Sequence, residues 1–195
     1  MRIEMKKVKE LRNQTGAGIV DIKNALEEAH GDEGKALDIL KKRGHAKAIK
    51  KSDRDAREGV IGQYIHSNGR IGVLVKVLCE TDFVAKNEEF IALSRDIAMH
   101  IAAMNPCCLR PEDVSESVLE KERLIWREQD ACREKEEKMI EKILLGKEKK
   151  FREEQALLTQ AFVKNPEIKV EDLLHEKIAK IGENIQIGDF IRYEM

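Results

Sequence analysis

Aromatic residues make up only 4% of the chain, and Lys plus Arg (36) nearly balance Asp plus Glu (37), leaving a formal charge of -1. No global basic field is therefore available to draw in nucleic acid, and few rings are available to stack on bases. Long apolar runs are missing too. Nothing approaches the roughly 20 apolar residues of a membrane span, and the charged start, Met1 to Lys7, lacks the apolar centre of a secretory signal. A cytoplasmic location without membrane association is the expectation.

The four cysteines, Cys79, Cys107, Cys108 and Cys132, lack the paired spacing of a zinc site. The five histidines, His30, His45, His66, His100 and His175, are scattered, with no HExxH. No metal is expected. Gly16 and Gly18 lack a preceding strand and the third glycine of a dinucleotide fingerprint, and no GxxxxGK[ST] or GxSxG occurs. The chain is expected to be no enzyme, to hold no cofactor and not to bind a nucleotide itself.

What is present is a helical pattern, with 42% hydrophobic and 37% charged residues over 195 positions. Val8 and Leu11, then Ile19, Ile22, Leu26 and Ala29, recur at helical spacing around the break Thr15-Gly16-Ala17-Gly18. Ala36, Leu37 and Leu40 add a third short helix, expected to stop at Gly44. Residues 1–45 thus read as a three-helix module, and the charged, alanine-rich stretch 46–58 as a partly helical linker.

Gly59 to His66 and Ile71 to Leu78 are rich in β-branched residues and flank Ser67-Asn68-Gly69-Arg70, the mark of a β-hairpin. On the second strand Ile71, Val73, Val75 and Val77 share one face while Leu74 and Leu78 share the other, so both faces are expected to meet helices. A short connection carrying Phe83 leads to a helix through Phe90, Ser94, Ile97, Ala98 and Ile101 that ends near Asn105-Pro106. Two charged helical stretches, about Ser115 to Arg133 and Glu134 to Leu145, predict a projecting helical hairpin at about 115–145. Leu157, Leu158, Phe162 and Val163 return to the core, Val170 to Ile181 form a last helix, and Asn184 to Tyr193 a closing strand. The expected fold class is α+β, with residues 59–195 as a core of small antiparallel sheet packed with helices.

Leu11-Arg12-Asn13-Gln14-Thr15-Gly16-Ala17-Gly18-Ile19-Val20-Asp21-Ile22-Lys23-Asn24-Ala25-Leu26 closely resembles the N-terminal signature of the elongation factor Ts family. Cys79-Glu80-Thr81-Asp82-Phe83-Val84-Ala85-Lys86 resembles its second signature. Further similar stretches are Ile97 to Ala103, Leu157 to Lys164, Ile181 to Ile185 and Phe190 to Glu194, so the resemblance runs in order along nearly the whole chain. Departures are Lys76-Val77-Leu78 where the family usually has Glu-Val-Asn, Ala161 where it commonly has Pro, and Ile19 and Val20 where it often has methionines.

The resemblance implies a guanine-nucleotide exchange factor for the GTPase elongation factor Tu. By that resemblance, Thr81, Asp82, Phe83 and Val84 intrude near the magnesium of the partner, with Phe83 as apolar wedge and Asp82 as its polar neighbour. Arg12, Ile19 and Val20 of the N-terminal module would grip a helix of the same GTPase. The chain also resembles the family's short form, which implies that two copies can present the binding surface as a homodimer. A different class stays open from the residues alone. The N-terminal module also resembles ubiquitin-associated domains, as in a helical adaptor, but an adaptor would have no need of the Thr81 to Val84 segment.

From the residues themselves, Ile19 and Val20 sit about 100 degrees apart on a helix and cannot both face one small core. His100 reads as a satisfied core histidine rather than a ligand.

Overall fold

A computed structural model of the chain describes residues 4–128 and 137–195. Cys132 and the junction between the two charged helices lie outside the described residues. The chain forms two compact units, one of Met1–Gly62, Val75–Arg95 and Glu171–Gly188, the other of Gln63–Leu74, Asp96–Val170 and Asp189–Met195.

The first unit opens with three helices, α1 (Met5–Thr15), α2 (Ile19–Glu28) and α3 (Glu33–Ile49). Val8, Leu11, Ile22, Ala25, Leu26, Ala36 and Leu40 close on one another as its small core, the residues that the helical spacing selects. Gly16 ends α1 at φ 66°, where its N–H donates to the Arg12 carbonyl. A side chain there would also strike the aliphatic stem of Lys180, so Gly16 serves both the left-handed turn and a close approach. Asp32 caps α3 by accepting from the Lys35 N–H at 3.0 Å.

α3 does not stop at Gly44 but runs to Ile49, with Ala48 buried. Gly44 lies inside the helix rather than capping it, and a Cβ built there would stand 3.4 Å from the methyl group of Ala179.

β1 (Glu58–Ile65) and β2 (Ile71–Cys79) flank the loop His66 to Arg70, in which Gly69 adopts φ 68° and the His66 N–H donates to the Ile71 carbonyl. Five loop residues, rather than a two-residue Asn-Gly turn, therefore join the strands. β2 is central in a three-stranded sheet of order β1-β2-β5, where β5 is Gln186–Glu194. Val73, Val75, Val77 and Cys79 are buried, whereas Leu74 is 48% exposed and Lys76 is exposed. The expectation that both faces of β2 meet helices is corrected: one face is covered, and the long Lys76 side chain belongs to the wet one.

After β2 come a one-turn helix, α4 (Asp82–Ala85), and α5 (Glu88–Met104). Phe90, Leu93, Ser94, Ile97, Ala98 and Ile101 of α5 are buried, as its periodicity predicts.

In the second unit α6 (Glu116–Glu128) packs on α7 (Glu137–Gln155), which extends past the expected end at Leu145. Glu148 ion-pairs with Arg123 at 2.6 Å and Arg152 at 2.9 Å, and Trp126 meets Phe151 edge to face. The two guanidinium groups hold the Glu148 carboxyl below its ordinary pKa, Arg123 most strongly.

Two strands not foreseen in the sequence, β3 (Ala161–Phe162) and β4 (Asn165–Lys169), pair antiparallel, so Asn165 opens a strand and Val163 is exposed rather than returning to the core. Last comes α8 (Val170–Ile181), which leads into β5. Helices with small antiparallel sheets make this an α+β fold, and no described helix is long and apolar enough to cross a membrane.

Candidate functional site

Thr81 starts α4 as its N-cap. Its Oγ1 accepts from the Val84 N–H at 3.4 Å and donates to Glu183 Oε1 at 2.7 Å. Glu183 Oε2 accepts from both the Glu80 N–H at 3.1 Å and the Thr81 N–H at 3.0 Å. One carboxylate thus holds three donors at the end of β2, and charge-assisted bonds of this kind are stronger than neutral ones.

The arrangement is reciprocal. Glu80 Oε1 accepts from the Asn184 N–H at 2.6 Å, and the buried Asn184 amide donates to the carbonyls of Ser52 and Arg54. The turn after α8 is thereby tied to the strand end and to the segment after α3. Gly182, at φ 92°, makes this turn, a conformation that side-chain-bearing residues rarely adopt.

On this base the short helix displays Phe83, 82% exposed, while Ala85 behind it is buried. The Phe83 ring thus adds nothing to the core and stands in water at the tip of a one-turn helix. Asp82 is exposed and paired with Lys86 at 2.7 Å, whose ammonium hydrogen bond lowers the Asp82 pKa, so the carboxylate stays charged. Val84 is half-buried.

Cys79, fully buried beneath the tip, donates its Sγ–H to the Thr81 carbonyl at 3.2 Å. Burial, and then the Glu183 charge, push this thiol up to about 11, which makes it a packed thiol rather than a nucleophile.

Arg12 is exposed on the last turn of α1. Both Ile19 (41% exposed) and Val20 (71%) face water at the start of α2. The geometric expectation that one of them is exposed is thus exceeded. Their loop leans on α8 through Gly16 and Lys180, and Lys180 also pairs with Glu89 at 2.6 Å. Lys180, near the end of α8, and Glu183, just after it, therefore back the α1–α2 loop and the Phe83 turn respectively.

Sequence reasoning assigned Glu80, Lys180, Glu183 and Asn184 no role. The available signal was the Ile181 to Ile185 stretch, whose glycine, acid and amide sit directly after a core helix.

His100 is a satisfied core histidine. It is fully buried, its Nε2 lies 3.0 Å from Gln160 Oε1, and its Nδ1 accepts from the Val163 N–H at 3.1 Å. Burial lowers its pKa, so the ring is neutral.

The fold and its tip define a class: an α+β protein of helices and small antiparallel sheets that holds an apolar side chain out in water on a hydrogen-bonded base. A family model described as Elongation factor TS matches residues 4–195. Elongation factor Ts of Carboxydothermus hydrogenoformans is 56% identical over 188 residues, covering 96% of this chain and 87% of that protein. Its counterpart in Thermosipho melanesiensis is 53% identical over 191 residues (98% and 97%), and that of Rubrobacter xylanophilus 51% over 195 residues (100% of each). The chain belongs to the elongation factor Ts family.

Proposed function

We propose that the chain is the guanine-nucleotide exchange factor of its cognate elongation factor Tu, working in the cytoplasm and catalysing no chemical step of its own. The observation that carries this reading is Phe83, exposed on a turn whose backbone N–H groups are held by Glu183. A wedge performs work on a partner only if its base does not yield. The Glu183 cradle supplies that resistance without filling the tip with bulk.

In this reading Thr81 to Val84 enter the partner beside its magnesium ion, Phe83 as apolar wedge and the charged Asp82 as its polar neighbour. Magnesium demands near-ideal octahedral oxygen geometry, so a small displacement of its surroundings weakens the metal and the grip on the GDP phosphates. Factor and GDP then weaken each other reciprocally, each tenfold effect corresponding to about 1.4 kcal/mol.

Residues 1–45 act as the docking module, through Arg12, Ile19 and Val20, and residues 59–195 as the core domain. Nucleic acid is not a direct partner, and two copies can associate as a homodimer. Release of labelled GDP from elongation factor Tu at fixed magnesium, with and without this protein, tests the reading. A large, concentration-dependent acceleration is expected; none from the folded protein would overturn it.

A further inference from the structure

The histidines looked scattered in sequence, yet two of them meet in the first unit. α3 and α8 approach closely where Gly44 faces Ala179. One residue on, the His45 ring lies against that of His175, with centroids 3.9 Å apart and planes at 62°. Asp172 stands one helical turn before His175 on α8, and its Oδ1 is 4.0 Å from His45 Nδ1. One ligand atom from each of the three lies within 4.8 Å of the other two, the one such grouping among the described residues.

His175 Nδ1 is screened from solvent and has no hydrogen-bond partner. Two imidazoles packed edge to face beside a carboxylate, one with an orphaned nitrogen, have no evident packing purpose. A cation between them would satisfy the orphaned His175 nitrogen.

We propose that His45, Asp172 and His175 form a binding site for a divalent transition-metal ion of the zinc or cobalt type, clamping α3 to α8. Two nitrogens and one oxygen suit a borderline-soft ion, whereas magnesium and calcium prefer all-oxygen shells. Three protein ligands leave further positions to water. Bound ligand atoms sit about 2.0–2.2 Å from such an ion, so the present spacing must tighten. His45 and Asp172 are each partly exposed and can rotate inward.

Two of the clamp's ligands precede, on α8, Lys180 and the turn carrying Glu183, which back the α1–α2 loop and the Phe83 tip. The clamp stands whether or not nucleotide exchange is the function.

Cobalt and zinc titrations of the untagged, chelator-treated full chain test the proposal. Uptake of one equivalent of Co2+ is expected, with visible absorption free of a thiolate charge-transfer band, and Zn2+ should raise Tm. H45Q should weaken affinity about tenfold or more, as loss of metal-site groups commonly does. H175Q should do the same, and D172N should weaken it less. Should H175Q fail to fold, H45Q and X-ray absorption of zinc in the unmodified chain still decide, the latter by showing two imidazoles. Absence of saturable uptake, undiminished binding in H45Q, a thiolate band, or displacement by millimolar magnesium would each overturn the proposal.

Discussion

Two long-range polar networks among the described residues, one in each unit, are built in opposite ways. In the second unit the buried His100 ring bonds to Gln160 on one side and to the Val163 N–H on the other, and every member is neutral. In the first unit Glu80, Thr81, Glu183 and Asn184 form a network around a charged carboxylate that ends at the surface and carries an exposed phenylalanine. A buried network must be neutral because unpaired charge is costly to desolvate, and what it returns is a unique core. A network at the surface can afford ionised acceptors, which hold backbone N–H groups firmly while water screens the remainder. The difference separates order confined to the core from order that reaches the surface.

The sharpest way to break that comparison is F83A. Stimulated GDP release should fall by about tenfold to a hundredfold, about 1.4 to 2.8 kcal/mol of coupling, while Tm stays unchanged because no core contact is lost. Full exchange by folded F83A would leave the tip without a purpose.

E183A removes the acceptor of three donors. It should cost about 2 kcal/mol of unfolding free energy in urea titrations and also lower exchange, since the wedge loses its base. Lost stability with intact exchange would show that the cradle serves the fold alone.

H100L is the mirror test: about 1 to 2 kcal/mol less stable, with exchange per folded molecule unaltered. It also carries a pH signature. The folded pKa of His100 lies below the unfolded value of about 6.5, so the unfolded chain takes up the proton first. The stability tied to this ring is complete above about pH 6.5 and declines as pH falls from there through the folded pKa. Protonating Nδ1 would break its bond from the Val163 N–H. Wild type and H100L should therefore converge in Tm on acidification, and parallel profiles would refute the assignment.

The smallest effect is expected at the docking module. V20S and R12A should each weaken binding to elongation factor Tu by several-fold, under about 1.4 kcal/mol, without changing Tm. Unchanged affinity in both, measured by calorimetry, would confine recognition to the tip.

Much of the fold was legible because its information is local. The spacing of Val8, Leu11, Ile22 and Leu26 selected the faces that close the three-helix core, and Phe90 to Ile101 did so for α5. Periodicity could not say what a face meets. Leu74 alternates as a buried strand residue should, yet half of it remains in water. Gly44 read as a helix stop because a glycine that caps a helix and a glycine inside one are the same letter. β3 and β4 are too short for alternation to register. At the candidate site Phe83 stands in the stretch that resembles the family's second signature, but the groups that hold its turn were not legible. Glu183 lies 102 positions from Thr81.

The sequence by itself determined the helices, the hairpin, the family and the residue at the tip, since backbone hydrogen bonding and side-chain periodicity act over a few positions. Only the tertiary structure decided that Glu183 holds the Thr81 turn, that Lys180 backs the Gly16 loop, and that His45 meets Asp172 and His175. Those pairings depend on where the folded chain brings α8 and its following turn, and no local preference of the residues involved records the path that takes it there.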